Sequence, residues 1–122
     1  MYRTLILLLL CGSAMAHEFT PTYPELRPSY VPGVLRAEMY LFNARKDVRY
    51  YEISVYDKDW NPVPFAGSQK LIPIAHLERK KIDVYIRRAD RDKAVYICSR
   101  SKILTGMKQA TVVSSKICSK IR

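Results

Sequence analysis

Residues 34–42, "VLRAEMYLF", decide the fold. Leu35, Ala37, Met39 and Leu41 are apolar while Arg36 and Glu38 stand between them, a period of two kept over the whole stretch. Successive side chains of an extended strand point to opposite faces, so the pattern predicts a strand with one face in a core and the other in water. Two further stretches repeat it. In "VRYYEISVY" (48–56) Tyr51, Ile53 and Val55 alternate with Tyr50, Glu52 and Ser54, and in "KIDVYIRR" (81–88) Ile82, Val84 and Ile86 alternate with Asp83, Tyr85 and Arg87.

Elsewhere in the chain, "AVYICSR" (94–100) and "QATVVSSKI" (109–117) are rich in strand formers, and "KLIPI" (70–74) is a short run whose Pro73 belongs on a sheet edge. Turn-forming residues separate these runs at Pro32-Gly33, 43–47, 57–64, 66–68 and 89–92. No stretch carries a helical stripe. Residues 17–33, with prolines at 21, 24, 28 and 32, read as an extended lead-in and a first edge strand. The expected fold is all-β: an immunoglobulin-like antiparallel β-sandwich of about seven strands.

The chain opens with Arg3, an apolar run from Leu5 to Leu10, then Gly12, Ser13 and Ala14-Met15-Ala16. That order of charged, apolar and small residues is a secretory signal peptide, with cleavage expected after Ala16 and a single domain over 17–122. The run is much shorter than the roughly 20 apolar residues that span a bilayer, so no stable membrane span is expected. Lipidation at Cys11 is an alternative, although Leu10 stands where such signals usually carry a small residue. The location implied is periplasmic or secreted.

Cleavage removes Cys11 and leaves Cys98 and Cys118 in a chain bound for an oxidising compartment, which predicts a disulfide between them. Two free buried thiols or a two-ligand metal site are the alternatives, in a chain with two histidines and no CxxC. An antiparallel ladder facing 98 with 118 places Gly106 to Gln109 at the hairpin tip, where glycine suits a tight turn.

The formal charge is +10. In a secreted protein this points to an acidic partner, an anionic envelope surface or solubility, and no nucleic-acid module motif is present, so nucleic acid is not an expected partner. Nor is there a glycine-rich phosphate loop, a GxSxG or an HExxH. No enzyme activity and no cofactor are expected. Asp57 and Asp59, in "DKDWN", read as turn residues rather than catalytic or calcium-binding carboxylates. Tyr40, Tyr50, Tyr56 and Tyr85, interleaved with Arg36, Arg49 and Arg87, read either as one protein-binding sheet face or as scattered surface.

His17 becomes the first residue after cleavage. Its amine and imidazole, completed by His76, make copper binding on a β-sandwich an alternative reading. The plainer one leaves His17 an exposed terminal residue and His76 in the polar turn "AHLERKK".

The order "RAEMYLFNARKDVRYYEISVYDKDWNPV", "LIPIAHLERKKIDVYIRR", "KAVYICSRSKI", "ATVVSSKICSKIR" resembles the N-terminal domain of PapD-like periplasmic pilus (fimbrial) chaperones over residues 18–122. In that family a strand ends in Asn, a proline-bearing stretch and a basic strand follow, and some members link the F and G strands with a cystine, where Cys98 and Cys118 fall. The resemblance implies donor-strand complementation, in which a strand at about Lys108 to Ile117 is lent to a secreted subunit. Met107, Ala110, Val112, Val113 and Ile117 would supply its apolar side chains. It also implies a basic clamp on the subunit's terminal carboxylate, with Arg27 and either Lys116 or Lys120 as the nearest residues by position. The family continues into a second domain that completes the subunit cleft. A structural or accessory subunit of an envelope or secretion assembly is the other reading of the same fold. Open edge strands in so small a sandwich also allow a homodimer.

Overall fold

The computed structural model describes residues 17–67, 69–103 and 114–122. The expected signal peptide with Cys11, the hairpin tip, and Met107, Ala110, Val112 and Val113 lie outside the described residues. The described chain forms β1 (Glu18–Thr20), β2 (Arg27–Pro28), β3 (Val34–Phe42), β4 (Tyr50–Tyr56), β5 (Leu71–Pro73), β6 (Arg79–Arg87), β7 (Tyr96–Lys102) and β8 (Lys116–Lys120). The only helical element among them is a single 3-10 turn, Arg88–Asp90.

Two four-stranded antiparallel sheets result. In the first, β1 and β2 both pair with one edge of β3 and β6 pairs with the other. The second runs β5-β4-β7-β8. The expected sandwich is present, with one more strand than anticipated. The reason lies in the lead-in: prolines lack the N–H that a ladder needs, and the segment between β1 and β2 carries Pro21 and Pro24.

Strand parity holds in the packing. Leu35, Ala37, Met39 and Leu41 of β3 are at most 1% exposed, and they face Tyr51, Ile53 and Val55 of β4 and Ile97 of β7 across the core. On β6, Ile82, Val84 and Ile86 complete the inner face of the first sheet. Each fully buried aliphatic side chain of this kind contributes about 1.5–3 kcal/mol of transfer free energy. The outer faces carry the intervening charges, as where Glu38 of β3 meets Arg36 at 2.9 Å and Lys81 at 3.3 Å. β5 is an edge strand, and Pro73 sits in it as the sequence implies.

Strand β3 starts at the turn closed by Ser29 N–H donating to the Val34 carbonyl, where Gly33 takes φ +78, a conformation costly for any residue with a Cβ. It ends at Asn43, which is fully buried. The Asn43 amide donates to the carbonyls of Val48 at 2.7 Å and Ile74 at 2.9 Å, and its Oδ1 accepts from the Arg45 N–H and from Tyr51 Oη. One amide thus satisfies three passing segments, as a buried polar group must.

Candidate functional site

Two features stand out: the edge of the second sheet at β8, and a cleft where the chain's described end meets the lead-in. Cys98 and Cys118 are directly opposed in the β7–β8 ladder and joined as a disulfide, with Cα atoms 4.1 Å apart. This is the pairing and the register expected from the sequence. Of the proposed strand-lending residues, Ile117 is described. It is half-buried, packed against the core cluster.

His17 sits at the base of this hairpin. Its Nε2 hydrogen-bonds Ser99 Oγ at 2.9 Å and its Nδ1 hydrogen-bonds Ser115 Oγ at 3.0 Å, while the Ser115 N–H donates to Ser101 Oγ at 2.8 Å. The ring also lies 4.8 Å from that of Tyr51. Burial, with the Arg45 charge adding to it, lowers the His17 pKa to about 4, so the imidazole is neutral at pH 7. Burial likewise raises the Tyr51 phenol to about 12. The reading of His17 as an exposed terminal residue needs correction: it is 7% exposed, and both ring nitrogens hydrogen-bond serines. His76 lies exposed in the turn between β5 and β6. Among the described residues no group of three or more His, Cys, Asp or Glu is placed to hold a metal ion.

The cleft is built by alternation in the lead-in. Pro24 and Leu26 are buried, which turns Tyr23, Glu25 and Arg27 outward together. The far end of β8 is then fastened alongside, with Lys120 N–H donating to the Thr22 carbonyl at 3.0 Å and Arg122 N–H to the Pro24 carbonyl at 2.9 Å. That zipper brings Arg122 to Glu25 from 97 positions away in sequence. The cavity is about 610 Å³, between this segment and the outer face of β3, with Tyr23, Arg27, Arg36, Tyr40 and Arg122 among its lining. Arg27 and Arg36 are register partners across β2 and β3. Like charges so opposed repel, and Glu25 and Glu38 offset them as their ion-pair partners.

Arg27 therefore lies in a basic cleft, but the cation beside it there is Arg122. Lys116 and Lys120, the partners suggested by position, are placed differently. The Lys116 ammonium stands 4.7 Å from the Tyr56 ring centre and 5.0 Å from that of Trp60, and Lys120 pairs in register with Tyr96. Trp60 stacks on Tyr96 at 4.3 Å with planes 3° apart. Trp60 owes its position to the turn expected of Asp57, whose Oδ1 accepts the N–H groups of Asp59 and Asn61, each at 2.9 Å. The tyrosines do not make one face. Tyr40 and Tyr85 stand on the outer side of the first sheet, Tyr50 and Tyr56 on the outer side of the second.

The fold this geometry defines is the PapD-like immunoglobulin sandwich. The chain is similar to the crystal structure of the E. coli chaperone DraB, with a TM-score of 0.66 and 14% identity, covering 88% of this chain and 53% of that one. It is similar to a structure of the Salmonella enterica SafA pilin in complex with the SafB chaperone, with a TM-score of 0.63, 15% identity and the same coverage. A third likeness is to the ASH / PapD-like domain 7 of human CEP192, with a TM-score of 0.53, 12% identity, 88% of this chain and 82% of that one. The chain spans about half the length of the two chaperone-related structures. No protein-family model matches it, and no curated protein does.

Proposed function

We propose that the chain is a secreted, non-enzymatic protein-binding module of the periplasm that assists assembly of a surface or envelope structure by β-strand addition. Residues 108–117 are the lent strand, and Met107, Ala110, Val112 and Val113 are its groove-filling side chains, while Ile117, placed with them by sequence, packs on this chain's own core. The observation that carries the proposal is the position of β8, the last strand of its sheet among the described residues, cross-linked to β7 by Cys98–Cys118. The lent segment leads into β8, so the disulfide anchors its base and lowers the entropic cost of ordering it against a partner. Main-chain hydrogen bonds then supply affinity and alternate side chains supply specificity. The likeness to chaperone structures, one of them in complex with a pilin, supports the reading. In the same reading Arg27 seats the partner's terminal carboxylate, with Arg122 as its neighbouring cation.

The test is gentle affinity purification of the secreted protein from a periplasmic extract of its native host, with mass spectrometry of what accompanies it. A stoichiometric β-rich secreted subunit, lost when residues 108–117 are scrambled, is the expected result. Recovery of the same partners with that segment scrambled contradicts strand donation. It would favour the other reading of the same fold, a structural or accessory subunit of an envelope or secretion assembly.

A further inference from the structure

The cleft between the lead-in and β3 already contains a carboxylate. Glu25 Oε2 lies 3.2 Å from Arg27 Nη2 and its Oε1 lies 3.5 Å from Arg122 Nη1, so one carboxyl group bridges the two guanidiniums with one oxygen on each. These are the ion pairs found for Arg27 and Arg122, whereas Arg36 on the opposite wall is held by Glu38. The geometry points to Glu25 as an internal occupant of the carboxylate seat, which an incoming carboxylate must displace before it reaches Arg27 and Arg122.

Three observations support displacement rather than a permanent structural bridge. First, Glu25 is about half exposed, and the two arginines more so, at 77% and 65%. Exposed pairs at such distances are weak, since water and salt compete for the same charges. Second, the backbone around the seat is fixed without Glu25: buried Pro24 and Leu26 anchor the segment, and the Arg122 N–H bonds the Pro24 carbonyl. Removing the carboxylate leaves the cleft intact. Third, the same cavity is lined by Tyr23 and Tyr40, 56% and 38% exposed, which offer aromatic surface to the residues preceding a terminal carboxylate.

The consequence is selectivity by competition. A ligand with a carboxylate and an apolar neighbour replaces what Glu25 provides and adds contact with the tyrosines, whereas a simple anion only exchanges one weak pair for another. This inference rests on the reading that the cleft receives a carboxylate, and the experiment separates the two.

The experiment titrates the folded protein with N-acetyl-Phe-Leu bearing a free C-terminal carboxylate, with its C-terminal amide and with acetate, following the arginine side-chain N–H resonances by NMR. Glu25→Gln is compared with wild type and with Arg27→Gln, and unchanged melting temperatures confirm that each variant is folded. Glu25→Gln is expected to tighten the carboxylate peptide about three- to tenfold, leaving the amide and acetate weak. If Glu25→Gln binds the carboxylate peptide no better than wild type while Arg27→Gln loses it, the cleft is a carboxylate seat and the competitor role of Glu25 is overturned. If carboxylate and amide peptides bind alike, or neither binds any of the three proteins, the seat itself is overturned and the inference goes with it.

Discussion

Tyr51 Oη donates a 2.7 Å hydrogen bond to Oδ1 of Asn43, and both residues are fully buried. The bond ties the end of β3 in one sheet to the start of β4 in the other, and the same Asn43 holds Val48 and Ile74 through its amide. The two substitutions at this pair therefore have unequal costs. Tyr51→Phe leaves Oδ1 with the Arg45 N–H and should destabilise by about 1 kcal/mol, whereas Asn43→Ala strands two carbonyls and a phenol and should cost about 3 kcal/mol or more. Urea unfolding of the two variants checks the order, and equal losses would show that the amide is not the shared node.

Stability should depend on pH through His17. Its folded pKa of about 4 lies below the unfolded 6.5, so the fold favours the neutral ring. The contribution is complete above pH 6.5 and is lost as pH falls from there toward 4, by at most about 3 kcal/mol. In His17→Gln this part of the slope should vanish from melts recorded between pH 7 and 4. An unchanged slope in the variant would assign the acid sensitivity to other groups.

Breaking the cross-link should act on the hairpin. The sequence separation of Cys98 and Cys118 is 20, and closing a loop of that size stabilises by about 3 kcal/mol in the chain-entropy account. The Cys98→Ser/Cys118→Ser double variant should remain folded in the cold, melt well below the parent and bind a partner more weakly than its residual stability explains. Partner binding equal to that of the oxidised protein would remove the disulfide from the mechanism.

Leu77 has φ +63 and is 63% exposed, so its side chain gains little from burial while its backbone is strained. Leu77→Gly should stabilise by roughly 0.5–1 kcal/mol, the relief of a left-handed conformation less the added flexibility of the unfolded chain. A denaturant midpoint that falls instead would mean that the Leu77 side chain packs more than its exposure suggests.

The β-sandwich was legible because it is written in short-range alternation. The parity of Leu35, Ala37, Met39 and Leu41 alone orients β3, and the same parity orients β4 and β6. Even the cystine register followed from counting cysteines in a secreted chain. The cleft was legible only in part. Arg27 was identified through a resemblance, but Glu25 and Arg122 meet because β8 zips onto the lead-in, a contact between residues 97 apart that no local pattern encodes. His17 failed for the same reason, since its burial depends on Ser99 and Ser115 folding over it. The tyrosines stayed open between one face and scattered surface because parity separates inside from outside and cannot say which of two outer faces a strand belongs to.

Hydrogen–deuterium exchange on the captured complex reads strand donation by residues 108–117 amide by amide. Amides in 108–117 should become strongly protected when the partner binds, with protection lost on scrambling that segment. Unchanged exchange across 108–117 in a complex that is otherwise intact would contradict it.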